Sequence, residues 1–254
     1  MLLAIDVGNT HTVLGSFRGE QLLASWRIAT DRQRTADEYG ALLLQLLRNS
    51  NLDPRGIRGV VIACVVPPAL ETFTAVARTY LACEPLVAST QNRSGLRILY
   101  DPPHAVGADR IANAVAAMHK YRLPAIIVDL GTAITFDVVS QDAEYLGGAI
   151  TPGIHISLEA LSARAAKLPR IELQRPSKAI GTTTEESMQS GVVFGAVGTV
   201  DSLVTRIKAE LAGEPIVIAT GGLAKAIASE SEEVQVVDEQ LTLDGLRLLY
   251  ELNR

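Results

Sequence analysis

The sequence predicts an α/β protein built from two related lobes, and three observations carry that reading. The stretch Leu2–Gly15, LLAIDVGNTHTVLG, is a short apolar run ending on Asp6, a glycine turn at Gly8, and a renewed β-branched run holding Thr10 and Thr12. Half a chain later Ala125–Val139, AIIVDLGTAITFDVV, repeats it with Asp129, Gly131, Thr132 and Thr135. The order of elements expected after each stretch is also the same, three strands and then alternating helices and strands. The expected division is residues 1–121 and 122–254. Each lobe would be a mixed sheet flanked by helices, with an active-site cleft between the lobes.

In the first half, Leu2–Val7, Thr12–Arg18 and Leu22–Ile28 read as strands joined by the short turns Gly8–Asn9 and Gly19–Glu20. Thr35 with Glu38 three residues on is a capping box, opening a helix through Leu43, Leu44, Leu46 and Leu47. Ile57–Val66 reads as a buried strand, Pro67 and Pro68 start a helix to about Ala82, and Pro85–Ala88 is a short strand. A helix follows from about Ala108 to Tyr121. In the second half the hairpin strands are Ile126–Leu130, Thr135–Val139 and Tyr145–Ile150, followed by a helix over Pro152–Lys167. Thr183 with Glu186 caps a long helix to about Leu211. Pro215–Thr220, Leu223–Ser229, Val234–Val237 and Leu243–Leu252 then read as strand, helix, strand and closing helix. This order fits two lobes of the ribonuclease-H-like type.

The chemistry of the two turns points to phosphate. Glycine lets a ligand approach the backbone, and free turn amides with threonine hydroxyls are donors for phosphate oxygens. An aspartate at the lip would repel phosphate directly, so it implies a cation between them. No G-x-x-x-x-G-K-[ST] loop occurs and the first turn carries no lysine, so metal ions must supply much of the positive charge. The net charge of −5, without a Lys/Arg block, argues against nucleic acid as a partner. No apolar run of membrane-span length stands out, and Met1 leads straight into a strand, so the expectation is a cytoplasmic protein with no membrane partner. Cys64 and Cys83 lack metal spacing and read as inert thiols of a reducing compartment.

Seven motifs carry a resemblance. D-V-G-N-T at Asp6–Thr10, D-L-G-T-A at Asp129–Ala133 and A-T-G-G at Ala219–Gly222 resemble the phosphate and adenosine motifs of the actin-like ATPase and sugar kinase superfamily. Trp26–Tyr39 (WRIATDRQRTADEY), Gly107–Arg110 (GADR) and Leu146–Ile154 (LGGAITPGI), with Gly181–Gly191 (GTTTEESMQSG), make the whole chain similar to type III pantothenate kinases.

The resemblance implies transfer of the γ-phosphoryl of ATP to the hydroxyl of pantothenate, the first step towards coenzyme A. It implies that Asp6, Val7, Gly8, Asn9, Thr10, His11, Thr12, Val13 and Thr132 bind ATP, with Asp6 holding Mg²⁺ largely through water. It gives Asp129 a monovalent cation, K⁺ or NH₄⁺, and makes Asp109 the general base. Tyr100, Gly107, Ala108, Asp109, Arg110 and Thr184 would form the pantothenate site, and the enzyme would be a homodimer.

Each assignment has a plainer alternative. Asp109 could be a helix-capping carboxylate, Arg110 a structural ion pair, Tyr100 a core tyrosine and Thr184 a second capping residue. The apolar stripe Val192, Val193, Phe194, Val197 and Val200 could be a dimer interface or a core face. At the level of function, the alternatives are a regulatory protein on the same fold, such as a transcription accessory factor, or another small-molecule kinase of the superfamily.

Overall fold

The computed structural model describes residues 1–254. Strand β1 (Leu2–Val7) pairs antiparallel with β2 (His11–Arg18), which pairs antiparallel with β3 (Gln21–Ala29). Helix α1 (Ala36–Asn49) follows, then β4 (Gly59–Cys64), α2 (Pro67–Leu81), β5 (Leu86–Val87), β6 (Arg97–Ile98) and α3 (Ala108–Lys120). The second series is β7 (Ala125–Leu130), β8 (Ala133–Val139), β9 (Glu144–Pro152), α4 (Ile154–Arg164) and α5 (Thr184–Glu210). It continues with β10 (Ile216–Thr220), α6 (Ala224–Ala228), β11 (Val236–Val237) and α7 (Leu241–Asn253).

The duplication is visible in strand order. The first sheet runs β3-β2-β1-β4-β5, and in the second β9, β8, β7, β10 and β11 follow one another in the same way. In both, the hairpin strands are antiparallel and the last two pairings parallel. The initial apolar strand of each series is therefore central, which is why β1 and β7 are continuous hydrophobic runs.

The chain forms two compact units, Met1–His119 with Gln240–Arg254, and Lys120–Glu239. In the first, Leu3, Ile5 and Val7 of β1 join Val60 and Ile62 of β4 against Tyr39, Leu43 and Leu47 of α1 and Phe73 and Val76 of α2. The capping box holds the start of α1 as expected, with Thr35 Oγ1 accepting from the Glu38 N–H. In the second unit, Ile126, Val128 and Leu130 of β7 pack against Leu158 of α4 and Met188, Val192, Val197, Val200 and Val204 of α5.

Two expectations change here. The closing helix α7, assigned by sequence to the second half, belongs to the first unit. The sheet there needs a cover opposite α1 and α2, and glycines make room for it. A Cβ on Gly15 would lie 2.9 Å from Leu243 Cδ1, one on Gly59 would collide with the Tyr250 ring, and one on Gly245 with the Ala112 backbone of α3. Leu241, Leu243, Leu246 and Leu249 are buried there. The second concerns α5, where one of two open alternatives is selected. Val192, Val193, Val197 and Val200 are buried and spent inside their own unit, with Phe194 half-buried, so this stripe is core and not an exposed interface. By length and composition α5 could cross a membrane, contrary to the reading that no such run stands out. Its apolar face is instead packed on β7 and β8.

Candidate active site

In the first unit the glycine turn follows from β1 ending at Val7 and β2 beginning at His11. The Gly8 N–H donates to the His11 carbonyl at 3.0 Å, closing the turn. A Cβ on Gly8 would sit 2.9 Å from that oxygen, so the residue must be glycine. Asn9, Thr10 and His11 are exposed at the tip, whereas Val7 is buried and Val13 half-buried opposite Asp6. Thr12 turns its side chain inwards. It is fully buried, with its hydroxyl 2.8 Å from that of Thr30, so its side chain braces the hairpin.

Asp6 lies half-buried one residue before the end of β1, paired in register with Val13 on one side and Ala63 on the other. Its charge reaches the neighbouring Cys64. The thiol is pushed up first by burial and then by the Asp6 carboxylate, which keeps it protonated and inert.

Asp109 is placed by the turn that opens α3. Its Oδ1 accepts the Arg110 N–H at 2.9 Å, and a Cβ on Gly107 would run into the same oxygen. A side chain at 107 would therefore have to displace this carboxylate. Burial raises the Asp109 carboxyl above the usual carboxylate range, offset in part by the Arg110 amide and the Arg110 charge. The residue as a whole is half-buried. A helix N-terminus alone would hold it low, so desolvation outweighs that effect. A raised carboxylate is the better proton acceptor.

The first turn and Asp109 share one end of the sheet. The Val65 N–H donates to the Val7 carbonyl at 3.1 Å, and Val65 Cγ1 lies 3.7 Å from a Cβ built on Gly107. Ala108 is half-buried beside them, and Arg110 is buried at 8% exposure. Tyr100 is half-buried, two residues beyond β6.

In the second unit the equivalent turn is shorter. The Gly131 N–H donates to the Ala133 carbonyl at 3.0 Å, leaving Thr132 exposed at the tip. The Thr132 carbonyl accepts the Gly153 N–H at 3.2 Å, and a Cβ on Gly153 would strike it, which ties this turn to the start of α4. Asp129 pairs in register with Thr135 on β8 and Thr220 on β10. Gly221, at φ +93°, would place a Cβ 2.6 Å from Asp129 Oδ1. Glycine at 221 thus lets the backbone lie close against this carboxylate. Carboxylate oxygens are hard donors, the type that suits Mg²⁺ or an alkali cation, and Asp6 and Asp129 each present one beside a glycine turn.

Thr184 starts α5, one residue after the cap Thr183, whose hydroxyl accepts the Glu186 N–H at 3.1 Å. It lines a cavity of about 830 Å³ with Ile154, Leu161, Met188, Val192 and Thr151. The Thr151 hydroxyl is buried in that wall without a hydrogen-bond partner.

The sequence reading missed a buried polar group in this hairpin. Asp137 is fully buried, accepting the Tyr145 hydroxyl at 2.6 Å and the Thr135 hydroxyl at 3.3 Å. It braces the strand that carries Thr135 opposite Asp129. The available signal was a lone carboxylate in the apolar run Phe136–Val139.

Residues 2–206 match the family model described as type III pantothenate kinase. Curated relatives of that name include one from Geobacter sulfurreducens, 53% identical over 254 residues and covering 100% of each chain. Another, from Syntrophus aciditrophicus, is 50% identical over 253 residues and also covers 100% of each. Among solved structures, ethanolamine utilization protein EutJ from Carboxydothermus hydrogenoformans aligns at TM-score 0.57 and 16% identity, over 97% of this chain and 89% of that one. The (R)-2-hydroxyglutaryl-CoA dehydratase component A of Acidaminococcus fermentans aligns at TM-score 0.53 and 14% identity, over 98% and 96%. These two likenesses show that the chain shares its fold with both proteins.

Proposed function

The chain belongs to the type III pantothenate kinase family, and on that premise we propose how its residues divide the work of the reaction. The enzyme phosphorylates pantothenate with ATP, giving 4′-phosphopantothenate at the entry to coenzyme A synthesis. It uses ATP with a divalent cation. We place the reaction in the cytoplasm.

In our reading, Asp109 accepts the proton of the pantothenate hydroxyl as that oxygen attacks the γ-phosphorus, and the bond to the ADP oxygen breaks. The observation that carries this is a half-buried carboxylate, raised by desolvation, at the same sheet end as the glycine turn. The exposed tip residues Asn9, Thr10 and His11 hold the phosphate chain, with Gly8 closing the turn. Asp6 would hold Mg²⁺, Thr132 would contact phosphate and Asp129, with Gly221 close beside it, would take K⁺ or NH₄⁺. When bound, these cations supply the positive charge that a loose, anionic transition state needs. Gly107, Ala108 and Arg110 shape the acceptor site around Asp109, while Tyr100 and Thr184 contact pantothenate.

We also propose a homodimer. Ile150, Ile156, Leu161 and Ile180 are exposed on β9, on α4 and ahead of α5. Ile180 is 78% open, an apolar group that a second copy would cover. Light scattering of the purified chain tests it: a dimer mass is expected, and a monomer at micromolar concentration overturns it.

Steady-state ADP release tests the reaction itself. Turnover should depend on pantothenate, and a panel of sugars should not replace it.

A further inference from the structure

The first phosphate turn has no cation of its own, yet one is held against it. The connection between β3 and α1 is fastened to the turn. The Thr30 N–H donates to the Thr10 carbonyl at 3.0 Å, and the Thr30 hydroxyl meets that of Thr12 at 2.8 Å. Tyr39 fixes the rest of the connection. Its hydroxyl accepts the Asp31 N–H at 2.8 Å and donates to the Asp31 carbonyl at 3.1 Å, and its ring is buried 4.6 Å from that of Phe73. The Gln33 N–H donates to Asp31 Oδ1 at 2.9 Å. Two arginines leave this rigid segment in different ways. Arg34 lies 5.2 Å over the Tyr39 ring, so its guanidinium is used in holding the segment. Arg32 instead donates from Nη2 to Asn9 Oδ1 at 3.2 Å, at the tip of the turn.

Arg32 is exposed and forms no ion pair, so its charge is uncompensated beside Asn9. A guanidinium has five N–H donors, and one is committed to Asn9. The others are available in a fork that matches phosphate oxygens bidentately. An Mg²⁺-bound nucleoside triphosphate still carries a charge of about −2, and Asp6 adds another negative charge nearby, so a fixed cation at the tip has a large electrostatic role. A lysine motif in the turn would normally fill it, and this turn has none.

We infer that Arg32 is a phosphate-binding residue, a cation supplied from outside the turn that closes on the phosphate chain of a nucleoside triphosphate seated at Gly8–Thr10. The inference rests on the reading of that turn as the nucleotide's phosphate site. Asn9 keeps the guanidinium at the tip before nucleotide arrives, and phosphate oxygens take its remaining donors.

The test is calorimetric titration of the full chain with Mg-ATP, Mg-ADP and AMP, with initial rates alongside. Arg32→Ala should weaken Mg-ATP by about tenfold to a hundredfold, the scale of one charge-assisted contact, while the KM for pantothenate stays within about twofold. AMP should lose little, and Arg32→Lys should recover part of the loss because it restores charge without the fork. Arg32→Gln, near in size, covers the case in which Arg32→Ala lowers the melting temperature. If Arg32 served only to hold Asn9, Asn9→Ala would reproduce the whole effect and Arg32→Ala would add nothing in that background. That result overturns the inference, as does unchanged Mg-ATP affinity in all Arg32 variants. Failure of the unaltered chain to bind Mg-ATP would instead overturn the reading of the turn.

Discussion

At the scale of single residues, Asp109 is the proposed base, and its environment sets a stability cost. Burial raises its carboxyl in the folded chain, so the folded state holds that proton more tightly than the unfolded state does. The associated stability is present at pH below the unfolded carboxyl value and is lost as pH rises through the folded one. At neutral pH the ionised group therefore opposes folding. Asp109→Asn should raise the melting temperature at pH 7 while turnover falls by about 10²–10⁴-fold and Mg-ATP affinity is nearly kept. A variant that turns over normally would remove Asp109 from the role of base. The acid limb of the rate profile of the unaltered enzyme should lie above the ordinary carboxylate range, and Asp109→Asn should abolish that limb. The motif reading found Asp109 and its glycine neighbour, because a G-A-D-R sequence at a helix start is local. It did not find the raised carboxyl, since desolvation depends on what packs around the turn. It likewise gave Thr12 a share in the phosphate site, whereas the period of β2 turns that side chain inwards to Thr30.

At the scale of elements, the glycine positions explain why each turn has its shape. Gly221 combines φ +93° with a Cβ position 2.6 Å from Asp129 Oδ1, so a side chain there is strained and also displaces the carboxylate. Gly221→Ala should weaken activation by K⁺ and abolish any rise in melting temperature when KCl replaces choline chloride. A K⁺ response equal to that of the unaltered chain would separate Gly221 from the cation. Most elements were legible because local signals agreed. The Thr35–Glu38 box, the Pro67–Pro68 start of α2 and the central runs of β1 and β7 each match the structure within a residue or so. The second capping box was legible only in half. Thr183 accepts the Glu186 N–H, but the Glu186 carboxylate turns to the N–H and hydroxyl of Thr182, which pull its pKa down. The strand β6 left no periodic signal, since two residues are too few to show one.

At the scale of the whole molecule, the duplicated strand order was readable from sequence and the allegiance of the last helix was not. A helix following β11 looks like the end of the second series, and only the small residues Gly15, Gly59 and Gly245, spread over the chain, mark where it docks. The four leucines of α7 that are buried in the first unit should contribute roughly 6–12 kcal/mol, at about 1.5–3 kcal/mol each. That is comparable with the whole stability of a domain. A chain ended at Glu239 should therefore fail to fold its first unit, seen as loss of protected amides in β1 and β4 by hydrogen exchange; native protection there would show that α7 is dispensable.

In the proposed mechanism, acidic glycine turns and Asp109 serve one phosphoryl transfer to pantothenate. The most direct measurement is initial-rate ADP release with ATP and pantothenate, with Mg²⁺ and K⁺ each present or withheld. The account predicts release that needs pantothenate and Mg²⁺ and rises with K⁺. Release indifferent to pantothenate, or a full rate after chelation of divalent metal, would contradict it.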